Sequence, residues 1–98
     1  KMAQTVSECL TAATDSVTVI NDINSNGLSS THLVASDLSA GVTQADANAR
    51  VKANVDHLTL ILAYDGTNET PNVKDASDNK SSYTTAITTG NTYISNNS

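Results

Sequence analysis

Six side chains constrain the fold of this chain more than any other feature. Val6, Leu10, Ala13, Val17, Ile20 and Ile23 recur at spacings of four, three, four, three and three residues, the repeat that gathers side chains on one stripe of an α-helix. Asp15-Ser-Val-Thr-Val-Ile20 has the β-branched character of a strand, but six matched positions outweigh it. The spacing therefore predicts a helix over about 3–24, and Asn24-Ser-Asn-Gly27 supplies the residues that end one.

Further along, the helical signals are shorter. Ser29, Ser30 or Thr31 can cap a helix over 30–41 carrying Leu33, Val34, Leu38 and Val42, with Gly41 weakening it. Thr43-Gln-Ala-Asp46 reads as a capping box with Asp in place of the preferred Glu. It predicts a helix from Gln44 to Tyr64, closed by Gly66. The alternative is one long helix over 31–64. Thr70-Pro71 gives an N-cap and a first-turn proline, and Val73, Ala76, Tyr83, Ile87 and Ile94 continue a heptad stripe through 71–95. Lys80 and Gly90 fall at poor positions on that stripe. The Thr- and Tyr-rich segment 82–95, with Gly90-Asn91 at its middle, is also a hairpin pattern. An isolated hairpin is marginal, so helix is preferred. The expected architecture is all-α, a single domain spanning 1–98 built as an up-and-down bundle of three or four helices (3–24, 30–41, 44–64, 71–95).

Such a bundle has little to fill its centre. Eight Val, seven Leu and five Ile make up the large aliphatics, with no Phe or Trp, which is near the composition at which chains stay unfolded. Only 15% of the residues are charged and the net charge is -5, so self-repulsion is slight. Twelve Ala favour close helix approach as the means of packing.

Several function classes are disfavoured on the same grounds. The five cations, Lys1, Arg50, Lys52, Lys74 and Lys80, are scattered, whereas nucleic acids and anionic membranes require clustered positive charge. No apolar run approaches the eighteen or so residues that span a bilayer. His32 and His57 lack a partner three or four residues away that would complete a helical ligand pair, and one Cys cannot complete a zinc site. They read as solvated or boundary histidines, and no cofactor is expected. The eight Asp are spread over polar faces and loops, no Gly-x-Ser-x-Gly elbow occurs, and the four glycines form no phosphate loop. The chain is not expected to be an enzyme.

Three features remain. Cys9, at the edge of the first stripe, is either a buried small hydrophobe or one half of an intermolecular disulfide. Asn68, Asn79 and Asn96 head Asn-x-Ser/Thr sequons, with Asn68 and Asn79 as candidate glycosylation sites. Eleven Asn in a chain about one quarter Ser and Thr give roughly that many by chance. Finally, His57-Leu-Thr-Leu-Ile-Leu-Ala-Tyr64 is the most apolar stretch. On a helix Leu58 and Leu62 join Val51 and Val55 on the core stripe, Ile61 widens it, and Leu60 falls on the flank about 160° from Leu62. A helix apolar nearly all round is buried on more than one side. Leu58, Leu60, Ile61, Leu62 and Tyr64 are therefore the candidates for a central core helix, the lining of a pocket, or an interface.

The leading expectation is a non-enzymatic module, secreted or displayed at the cell surface, that associates with itself or another protein. Its excess of Ser, Thr and Asn over Lys and Glu suits that location, and the start at Lys1 reads as a processed chain or an excised domain. The second is a small helical carrier of an apolar ligand of the lipid, odorant or pheromone type. The third is an ectodomain fragment of a sensor or receptor.

Overall fold

A computed structural model describes residues 5–63 and 80–98, and within them the chain forms three packed α-helices and no strand. Helix α1 spans Val6–Asn26, α2 spans Gln44–Ala63, and α3 is described over Lys80–Asn96. Each packs on the other two. Ser16 of α1 lies level with His57 of α2, while Ile20, four residues on, sits near Val51 and Val55, so α1 and α2 run antiparallel. Gln44 meets Tyr93 and Asn48 meets Asn97, and α2 and α3 are likewise antiparallel. Thr14 borders Ser82 and Asn24 borders Thr92, so α1 and α3 run parallel, in up-down-up order.

Helix α1 begins at Val6, the first residue of its apolar stripe and three residues later than the start expected near Ala3. The reason is a capping box: the Glu8 N–H donates to the Thr5 hydroxyl at 3.0 Å, and the Thr5 N–H donates to Glu8 Oε1 at 2.8 Å. At the other end Gly27 takes φ 58° and donates its N–H to the Ile23 carbonyl, closing the helix in a conformation that favours glycine. The buried stripe is Cys9, Ala13, Ser16, Ile20 and Ile23, with Leu10 and Val17 only partly covered. The core face is thus rotated from the one expected. Small side chains at 9, 13 and 16 allow the neighbouring helices to approach closely, and the bulkier Leu10 and Val17 fill the flanks.

The predicted helix over 30–41 does not form, and neither does a continuous helix over 31–64. After one 3-10 turn at Gly27–Ser29 the chain runs through extended and turn residues to Thr43. Local polar groups take the backbone hydrogen bonds that a helix would use. Asp37 Oδ1 accepts from the Ser39 N–H and hydroxyl, the Asp37 carbonyl accepts from Ala40 and Gly41, and Gly41 adopts φ 73°. The Thr43 box forms as read: Thr43 N–H donates to Asp46 Oδ2 at 3.0 Å, the Asp46 N–H donates to Thr43 Oγ1 at 3.2 Å, and α2 starts at Gln44.

On α2 the buried side chains are Ala47, Val51, Asn54, Val55, Leu58 and Ile61. Leu62, expected on the core stripe, is half-buried, and Ile61 takes the deeper place. The helix is not enclosed on all sides, because three helices leave each one an outer face. On α3 the hairpin alternative over 82–95 is replaced by continuous helix. Its core face is Tyr83, Ala86, Gly90 and Tyr93, with Ile87 and Ile94 at the margin. Gly90 is therefore central: a Cβ there would stand 2.5 Å from Val55 Cγ2, 3.1 Å from Val51 Cγ1 and 3.5 Å from Ile20 Cγ2. The glycine that weakens the helix locally is what lets α3 seat against α1 and α2 together. The readings placed on Tyr64, Gly66, Asn68, Thr70-Pro71, Val73, Ala76 and Asn79 lie outside the described residues.

Candidate interaction surface

The apolar stretch divides in two on α2. Leu58 and Ile61 are in the core, whereas Leu60 is 71% exposed. Helical geometry places Leu60 seven residues from Ala53 and eleven from Ala49, on one outer strip, and both alanines are exposed. The structure therefore separates residues that sequence proximity grouped together: Leu58, Ile61 and the half-buried Leu62 serve the fold, and Leu60 serves the surface. Leu28, Val34 and Leu38, between α1 and α2, are the other large apolar side chains exposed among the described residues, Val34 to 82% and Leu38 to 89%.

Val34 belongs to a groove of ≈ 510 Å³ between the connector and the first half of α2. Leu33, Val34, Ala49 and Ala53 provide its apolar lining, and His32, Asp46 and Arg50 its polar rim. Sequence reasoning missed this groove, because it exists only where the connector folds back across α2. What folds it back is a cluster at Asp22. Asp22 Oδ2 accepts from the Ser30 hydroxyl and faces His32 Nδ1 at 2.8 Å, while Oδ1 accepts from Asn26 Nδ2 at 2.6 Å. The Ser30 hydroxyl, then the His32 ring, hold the Asp22 carboxyl below its ordinary pKa. Farther along, Ser36 donates to Asp46 Oδ1 at 2.6 Å, and that bond, followed by the Thr43 N–H, lowers the Asp46 pKa. The Ser39 hydroxyl and N–H do the same for Asp37.

The two histidines are thus spoken for by the fold. Ser16, buried on α1, meets His57 Nδ1 at 3.0 Å and ties α1 to α2. His32 ties the connector to α1. Ser30 and His32 both meet Asp22, and in this cluster the serine hydroxyl bonds the carboxylate and not the imidazole. Among the described residues no group of three or more His, Cys, Asp or Glu is placed to hold a metal ion, and no helix is long and apolar enough to cross a membrane. Cys9 is 1% exposed within the core, and a disulfide to another chain would require the first turns of α1 to open. Asn96, the third sequon asparagine, is exposed at the end of α3.

No protein-family model, curated protein or solved structure matches the chain. The surface is therefore read on its own chemistry.

Proposed function

We propose that this chain is a non-enzymatic helical module, secreted or displayed at a cell surface, that associates with a second copy of itself through the outer face of α2. The observation that carries the reading is Leu60, 71% exposed between buried Leu58 and Ile61. Large aliphatics are about a fifth of the chain, and one of them occupies the C-terminal end of an outer strip whose other members, Ala49 and Ala53, are small enough to admit close helix contact. The non-enzymatic part draws on the histidines and serines that tie elements together, and the location draws on the Ser-, Thr- and Asn-rich composition.

Sedimentation velocity over a concentration series extending well above micromolar, with and without reductant, tests the association. A concentration-dependent dimer is expected in both, and Leu60→Lys should abolish it. A strict monomer throughout, or a dimer indifferent to Leu60→Lys, would remove the proposal. A dimer that vanishes with reductant would move the contact to Cys9.

A further inference from the structure

The groove beside Val34 lies along the opposite half of α2 from Leu60, and its chemistry is different. The geometry points to a binding site there for a single small anionic amphiphile: an alkyl carboxylate of medium length, with its tail along Leu33, Val34, Ala49 and Ala53 and its carboxylate on Arg50.

Three observations lead to this ligand class. The first is that the fold leaves Val34 82% exposed although it stands beside the apolar residues Leu33, Ala49 and Ala53. The fold itself gives Val34 no cover, and an alkyl chain would supply it. The second is a difference between the two charges on the α2 rim. Asp46 has both carboxylate oxygens engaged, by Ser36 and by the Thr43 N–H, and sits in the first turn of α2, where the helix end favours negative charge. Arg50, one turn on, makes no side-chain hydrogen bond or ion pair among the described residues. The acid is satisfied within the protein and the guanidinium is not, so the rim offers a cation to a ligand, and its fork matches a carboxylate. The third is scale. The groove of ≈ 510 Å³ is within the range that holds one small ligand.

The groove shares Ala49 and Ala53 with the strip proposed for self-association, so a second copy and the ligand compete there; Leu60→Lys removes the dimer, leaves the groove lining intact, and lets the two readings fail separately. Decanoate, titrated below its micellar concentration into the full chain, should produce saturable one-to-one binding by calorimetry. Amide shifts in NMR spectra should centre on residues 32–34 and 46–53. Arg50→Gln keeps a polar, hydrogen-bonding side chain and removes its charge. It should weaken decanoate about tenfold, the scale of one charge-assisted hydrogen bond, with melting temperature unchanged. Val34→Ser should weaken it as well, and decyltrimethylammonium should not bind. The proposal is overturned by non-saturable uptake, by Arg50→Gln binding within twofold of the parent, by equal binding of the cationic amphiphile, or by shifts centred on Leu60. It is equally overturned if the monomeric Leu60→Lys variant fails to bind decanoate.

Discussion

The connector and α2 have comparable supplies of large apolar side chains and different fates. Leu33, Val34, Leu38 and Val42 lie within one short stretch, as do Val51, Val55, Leu58 and Ile61 in the next. The second set falls at spacings of four, three and three and is buried; the first falls at one, four and four, and its members are half-buried or exposed. Spacing separates them, helped by what lies between. The Asp37 carboxylate accepts from the Ser39 N–H and hydroxyl, the Ser36 hydroxyl donates to Asp46, and Gly41 takes a positive φ. Between Val51 and Ile61, by contrast, Asn54 and Thr59 donate to carbonyls four residues back within the helix. Apolar content alone does not make a core element; a helix must bring that content to one side.

The largest effect expected on this contrast comes from Leu58→Ala. Leu58 is fully buried, and the substitution should cost about 2–5 kcal/mol in urea unfolding. A loss below about 1 kcal/mol would mean that α2 is not held by its stripe. Next is Gly90→Ala. Helix propensity favours Ala by about 1 kcal/mol, but the new methyl would meet Val55 and Val51, and overpacking of this kind costs about 1–3 kcal/mol. A net loss is expected, with Val55→Ala partly restoring stability in the double variant. A Gly90→Ala protein more stable than the parent would show that α3 can shift outward at no cost.

Acid should act on the connector first. Asp22, Asp37 and Asp46 are all held below the ordinary value of 3.8 by hydrogen bonds that fix that segment. Their ionised forms favour the folded arrangement, so their contribution is complete above 3.8 and is lost as pH falls through the lower folded values. Amide shifts of residues 30–43 should therefore move toward unfolded positions at a pH where those of 51–61 still report helix. Coincident transitions would make the two regions one cooperative unit. The smallest effect belongs to Leu38→Ser: at 89% exposure it should change stability by no more than about 0.5 kcal/mol. A larger loss would reveal packing of Leu38 that the comparison denies.

What could be read in advance follows the same physics. The start of α2 was legible because the Thr43–Asp46 box is contained within four residues. The box at Thr5–Glu8 is just as local, and it sets the first residue of α1 at Val6. The helix expected over 30–41 rested on a stripe interrupted by Ser and Asp, residues that favour turns. The role of Gly90 was beyond sequence reasoning, since it is defined by Val51, Val55 and Ile20 on two other helices. At the surface, the flank position of Leu60 follows from helical angles alone. The groove at Arg50 does not, because it depends on Asp22 drawing Ser30 and His32 back against α1.

Gly90 also bears on the order of events in folding. Val55, the nearest neighbour of position 90, lies thirty-five residues before it, whereas Ile20 lies seventy before it. Closing the longer loop costs more chain entropy, so the contact of α3 with α2 is expected to form ahead of its contact with α1. Contacts made before the rate-limiting barrier govern how quickly the native state is reached and not how long it lasts. A methyl at position 90, which meets Val55 first, should then slow refolding while leaving the lifetime of the folded protein nearly unchanged. Stopped-flow traces with unaltered refolding and faster unfolding would instead put the seating of α3 behind the barrier.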